Sequence, residues 1–147
     1  MDIHFNATRM AGASAATLFD VLTDYPDYPK FNPALIHVSV VRRDDNGAEF
    51  VADRKTWIGR RVHAQDRYER GEDLVIHRTY AGSPSARSTW TIHPVDADHC
   101  TLTIDASQQM NQVQGLVMKP FLRKLFYGIN FAPFIQEAER RETAARM

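Results

Sequence analysis

The sequence predicts an α+β domain: seven antiparallel strands, two short helices between the first and second strands, and a long C-terminal helix. Three observations carry this. From Ala34 to Met110 the chain is a run of short alternating segments separated by turn residues. Before and after that run the apolar spacing changes to the helical period. Pro26, Pro29 and Pro33 then cut the first helical stretch short, since each lacks an amide donor and restricts the residue before it. The length of 147 residues suits one domain over 1–147.

The elements follow in order. "IHFNATRM" alternates Ile3, Phe5 and Ala7 with polar residues, a strand pattern. Ser14 is placed to cap a helix whose apolar face is Leu18, Val21 and Leu22, with Phe19 beside them. "ALIHVSVVRR" is rich in β-branched residues and ends at "DDNG", an Asn-Gly hairpin signal. "AEFVADRKTWI", "RVHAQDRYER", "LVIHRTYA", "RSTWTIHPV" and "CTLTIDASQQM" continue as strands, with "GED", "GSPS" and "DADH" among the turns. These join into a meander. Met118, Leu122, Leu125, Ile129 and Ala132 then form one helical stripe, widened by Val117, Phe121, Phe126 and Ile135. Pro133 predicts a kink near Ile129.

Composition excludes several functional classes. Lys plus Arg equals Asp plus Glu at 18 each, so formal charge is zero. Nucleic acid and anionic membranes need a concentrated positive field, so neither is expected as the main partner. Cys100 is the single cysteine, which rules out an internal disulfide and fits a reducing compartment. "MDIHFNATRM" has no apolar run of a signal peptide, and no segment approaches the ~18 apolar residues of a membrane span. The expected location is the cytoplasm. Oligomeric state is not encoded in any feature of the sequence.

No catalytic motif stands out. His4, His37, His63, His77, His93 and His99 are scattered without metal-ligand spacing. No nucleophile elbow and no glycine-rich phosphate loop is present, so no metal or cofactor is expected. What remains is a set of polar residues inside strands: Arg54, Asp66, Arg67, Arg78 and Gln108. In "VHAQDRYER" either Asp66 and Tyr68 point inward, or His63, Gln65 and Arg67 do. The apolar residues Val62, Ala64 and Tyr68 favour the first register.

The element order, and above all "SAATLFDVLTDYPDYPKFNPALIHVSVV", resembles the START-like superfamily, which includes the polyketide cyclase/dehydrase and lipid-transport families. "STWTIHPVDADHCTLTID" resembles that group's Trp strand, turn and final strand. The resemblance implies a helix-grip fold, in which a curved antiparallel sheet wraps around the long helix and leaves a cavity between them. It further implies that Tyr25, Tyr28 and Phe31 form a proline-bracketed gate over that cavity. The residues alone equally allow a simple cover over the end of the core.

The expected ligand is a hydrophobic small molecule of the polyketide, lipid or quinone type. Its wall would draw on Tyr25, Tyr28, Phe31 and Leu35, on Phe50, Arg54, Trp57, Tyr80 and Trp90 from the strands, and on Phe121, Leu125 and Phe126 from the helix. Cavity walls and core walls use the same residue types, so both readings stand for each. The alternative function is a polyketide aromatase/cyclase or dehydratase. The resemblance to such cyclases favours an inward Arg67 and makes Tyr28, Arg67 and Asp66 the catalytic candidates. It also puts Leu35 where those enzymes hold a polar residue, and Leu35 can neither donate nor accept a proton.

Overall fold

A computed structural model describes residues 2–54, 61–81, 86–109 and 131–146. β1 (Asp2–Ala11) leads to α1 (Ala15–Leu22), a single 3-10 turn (Tyr25–Asp27) and α2 (Tyr28–Phe31). Six strands follow: β2 (Leu35–Asp44), β3 (Gly47–Arg54), β4 (Arg61–Arg70), β5 (Leu74–Ala81), β6 (Ala86–Pro94) and β7 (Cys100–Gln109). The C-terminal helix, α3, spans Ala132–Arg146. The seven strands form one antiparallel sheet in the order β1-β7-β6-β5-β4-β3-β2. It is the curved sheet and C-terminal helix of the helix-grip arrangement.

Local chemistry explains the boundaries. The Ser14 side chain accepts from the Thr17 amide at 3.1 Å and caps α1, as expected. Thr23 closes the helix by donating to the Phe19 carbonyl at 2.8 Å. Pro26 and Pro29 then sit in the first turns of the two short helical pieces, where a missing amide costs nothing. Asn32 ends α2 and accepts from the Ala34 amide through its side chain at 3.1 Å. The Asn-Gly hairpin forms: Asp44 pairs with Gly47, and the Asp44 carboxylate accepts from the amides of Asn46 and Gly47 at 2.8 and 3.1 Å. Only glycine fits at 47, since a Cβ there would lie 2.0 Å from the Asp66 carbonyl oxygen.

The core lies between the concave sheet face and the helices. Ile76, Trp90, Ile92, Leu102 and Ile104 are buried on the sheet, and Leu18, Val21 and Leu22 cover them from α1. From α3, Phe134 meets Trp90 edge to face at 5.6 Å and Tyr28 at 5.1 Å. Glu139 and Glu142 of α3 accept from the amides of Gly12 and Ser14 at 2.9 and 2.8 Å, which pins the helix to the β1–α1 junction. β2 is an edge strand with register shifts around Ile36 and Val41, which are 56% and 60% exposed. Such bulges twist an edge away from further pairing.

Most expected strand limits hold to within a residue or so. Cys100 lies at the first position of β7. Pro133 is the second residue of α3 as described. The expected kink near Ile129 falls outside the described residues, as does the stripe from Val117 to Ile129 on which the expectation of a cavity rests.

Candidate ligand-binding site

The register of β4 settles which face each polar side chain takes. Ala64, Asp66 and Tyr68 are buried, while Gln65 and Arg67 are exposed. Asp66 pairs with Arg78 across the β4–β5 ladder, and both point into the concave side. Their side chains are 0% and 4% exposed. Arg78 donates from Nε to Asp66 Oδ1 at 2.7 Å and from Nη2 to Oδ2 at 2.9 Å, a bidentate fork.

Three tyrosines complete the cluster. Tyr25 donates to Asp66 Oδ2 at 2.6 Å. Its single proton is spent there, so the hydrogen bond between the Tyr25 and Tyr68 hydroxyls is donated by Tyr68. Tyr28 donates to the Leu22 carbonyl and accepts from Arg78 Nη2 at 2.9 Å. Both tyrosines of the proline-bracketed segment are therefore fastened to the sheet by buried hydroxyls.

Electrostatics follow from burial and from the ion pair. Burial pushes the Tyr25 phenol far above its ordinary range, with the Asp66 carboxylate adding to the effect. Burial likewise raises Tyr28 and Tyr68. Burial alone would disfavour the Arg78 charge, but Asp66 beside it overrides this and holds the guanidinium well above its usual range. The cluster is thus one fixed ion pair surrounded by neutral phenols.

Aromatic rings enclose the guanidinium. Arg78 Cζ lies 5.1 Å from the Phe50 and Trp90 ring centres and 5.8 Å from Tyr28. Phe50 stacks on Tyr25 at 4.6 Å, and the Trp90 indole N–H donates to Ser88 Oγ at 2.8 Å. Nε and Nη2 are engaged, whereas Nη1 donates to nothing among the described residues. Two N–H donors are thereby held on the concave side, in an aromatic setting.

The residues expected at the site divide as follows. Tyr25, Tyr28, Phe50 and Trp90 are buried together around Arg78. Phe31 is half-buried, 5.8 Å from both the Tyr28 and Phe134 rings. Leu35 packs on the core at the start of β2, opposite Arg54. Arg54 and Tyr80 form a second inner-face group, with Arg54 Cζ 4.9 Å from the Tyr80 ring centre. Trp57, Phe121, Leu125 and Phe126 lie outside the described residues.

Arg67 is a correction. Its side chain is 69% exposed, 3.7 Å from Glu69, and it lines an open depression of about 590 Å³ on the outer face with Gln65, His77 and Thr79. The alternation that buries Ala64 and Tyr68 forces residue 67 outward, and Arg78 supplies the inward guanidinium instead. A signal for Arg78 was available, because Leu74, Ile76, Arg78 and Tyr80 share one strand face. Tyr68 follows from the same argument on β4. Phe134, on α3, had no such signal.

Residues 11–141 match the family described as polyketide cyclase / dehydrase and lipid transport. The chain belongs to that family. No curated protein matches the sequence. Among solved structures, a norcoclaurine synthase point mutant from Thalictrum flavum superposes with a TM-score of 0.75 at 9% identity, over 97% of each chain. An aromatase/cyclase from a Streptomyces species gives 0.70 at 16% identity, over 99% of this chain and 98% of that one. A STAR-related lipid transfer protein from Xanthomonas axonopodis gives 0.69 at 16% identity, over 92% and 85%. At these identities the likeness is one of fold. The family supports hydrophobic ligand binding or polyketide cyclase-type chemistry as the range of function.

Proposed function

We propose that the protein binds a hydrophobic small molecule on the concave face of the sheet, beside Arg78. The single observation that carries this is the unused Nη1 edge of a buried arginine, framed by Phe50, Trp90 and Tyr28. Nη1 is free among the described residues without being sealed off as a buried unpaired atom, so a ligand oxygen can reach it and complete its hydrogen bonding. The rings offer the apolar contact that a polyketide, lipid or quinone needs. Tyr25, Tyr28 and Phe31 form the wall contributed by the proline-bracketed segment.

Binding without turnover is favoured over cyclase chemistry by the state of Asp66. Both of its oxygens already accept from Arg78, and one also from Tyr25. A carboxylate so occupied is poorly placed to take a proton from a substrate. Native mass spectrometry of the purified protein tests the reading directly, supported by titration with the neutral probe N-phenyl-1-naphthylamine. A co-purified hydrophobic molecule, or saturable one-site probe binding, is expected. Arg78→Lys keeps a cation beside Asp66 but removes the fork, so it should weaken binding of an oxygen-bearing ligand while the protein remains folded. Absence of both adduct and probe binding overturns the proposal.

A further inference from the structure

Among the described residues, Arg9, Arg43 and Arg70 take inner-face positions but are exposed, whereas Arg54 and Arg78 are shielded on the concave side and differ in charge balance. Arg78 is neutralised by Asp66. Arg54 has no carboxylate partner among the described residues; it is half-buried, with its guanidinium over the Tyr80 ring. Its inward direction follows from β3, where Ala48, Phe50 and Ala52 are buried at alternate positions and Arg54 continues the series.

The surrounding acids do not reach it. Of the carboxylates within β3 to β7, Glu49, Asp53, Asp66, Glu69 and Asp105, only Asp66 is buried on the inner side. Asp2 begins β1, at the far edge of the sheet from β3, and Asp20 is exposed on α1. Asp24, Asp27, Glu137, Glu139 and Glu142 are engaged by Arg141, Lys30, Arg140, Gly12 and Ser14 respectively. Asp53, the nearest in sequence, is turned outward and paired with Arg61 at 3.2 Å. Asp44, Asp45, Glu72, Asp73, Asp96 and Asp98 all lie at the β2–β3, β4–β5 and β6–β7 turns, at the opposite end of the sheet. Residues 55–60, 82–85 and 110–130 contain no Asp or Glu, so no carboxylate can come from them either.

We infer that Arg54 is the recognition point for an ionised oxygen of the ligand, and that the ligand is an amphiphilic anion such as a carboxylate. This inference rests on the binding reading above and refines it. The two arginines would divide the labour. An anionic oxygen brought to Arg78 would meet the Asp66 carboxylate, a like-charge contact in a dry setting, so Arg78 suits a neutral carbonyl or hydroxyl. Arg54 offers an uncompensated charge whose hydrogen-bonding fork matches a carboxylate, with Tyr80 holding the guanidinium plane from one side. The apolar body of the ligand then extends from Tyr80 toward Phe50 and Trp90.

The test uses the whole chain and a matched pair of probes: 11-(dansylamino)undecanoic acid and its methyl ester, identical but for the charge. The wild type should bind the acid at least about tenfold more tightly than the ester, the scale of one charge-assisted contact. Arg54→Gln should erase that preference by weakening the acid about tenfold while changing ester affinity far less. Arg54→Lys should retain most of it. Because the ester reports the apolar site independently, a fold defect in Arg54→Gln would lower both affinities together. Equal binding of acid and ester by the wild type overturns the role of Arg54 and leaves the binding reading intact. Equal loss of both probes in a folded Arg54→Gln does the same. Binding of neither probe by the wild type overturns both.

Discussion

Arg78 and Arg67 occupy neighbouring strands, adjacent in the ladder, yet face opposite sides of the sheet. Arg78 is 4% exposed with a bidentate carboxylate at 2.7 Å, and Arg67 is 69% exposed with a carboxylate at 3.7 Å. The chemistry of the two pairs is the same. The solvent differs, and the solvent decides their worth. On the outer face, water screens both ions and either can be lost at little cost. On the inner face, neither ion can find a substitute for its partner, so each depends on the other.

The sharpest way to break this contrast is to remove one inner ion. Asp66→Ala leaves the Arg78 charge buried and uncompensated and withdraws the acceptor of Tyr25. The expected loss is about 3–5 kcal/mol in a denaturant melt. Asp66→Leu combined with Arg78→Met removes both charges at similar volume, and should recover much of that loss. If the double variant is as unstable as the sum of the single ones, the two ions are not coupled and the contrast fails.

A smaller effect is expected from Tyr25→Phe. It keeps the stacking on Phe50 but takes away one donor to Asp66 and the acceptor of Tyr68. The cost should be about 1–3 kcal/mol, the range for leaving a buried polar group without its partner. Tyr68→Phe deletes only the outer donor of the chain and should cost less. The reverse order, read from the same melts, would show that the cluster is not organised around Asp66.

This cluster shows how far sequence reaches. A three-residue turn at Gly71–Asp73 places residue 66 opposite 78, so the Asp66–Arg78 pair is implicit in "RGEDL". The β2–β7 meander, the Ser14 cap and the Asn-Gly hairpin were legible for the same reason: each depends on residues close in the chain, unlike the pairing of β1 with β7. What was not legible depends on which face of β4 is covered. Val62, Ala64 and Tyr68 pointed to the correct face, whereas the family resemblance pointed to Arg67. Residue-by-residue transfer failed because strand alternation turns residue 67 outward, and the buried guanidinium of this sheet is Arg78 on the next strand. The convergence of Tyr28 and Phe134 on Arg78 and Trp90 was beyond reach, since it joins segments far apart in sequence. That Arg54 lacks a carboxylate partner among the described residues likewise required the inner-face register of the neighbouring strands.

The contact between α3 and α1 sharpens the contrast at intermediate exposure. Glu142 accepts from the Ser14 amide and from the Thr17 hydroxyl, both at 2.8 Å. Those bonds, the Ser14 amide first, hold its carboxyl down at about 2 against an ordinary 4.5. The folded value is the lower one, so the contribution to stability is present above pH 4.5 and is lost as pH falls toward 2. Glu142→Gln should therefore be less stable than the wild type near neutrality, with the two converging at about pH 2. Urea midpoints collected down that range check it. A constant gap at every pH would mean that the charge is irrelevant and that only shape holds α3 in place.

The smallest effect is expected where an inward role was first assigned. Arg67→Ala removes an exposed guanidinium whose carboxylate neighbour, Glu69, is itself 55% exposed. The change should stay within about 0.5 kcal/mol, as for most surface substitutions. Binding of N-phenyl-1-naphthylamine should be unaffected, because the sheet lies between Arg67 and the concave face. The comparison with Asp66→Ala is then a controlled one: adjacent residues, the same strand, opposite faces, and an expected difference of several kcal/mol. A folded Arg67→Ala that loses probe binding would place the functional surface on the outer depression instead, and would overturn the assignment of the concave face.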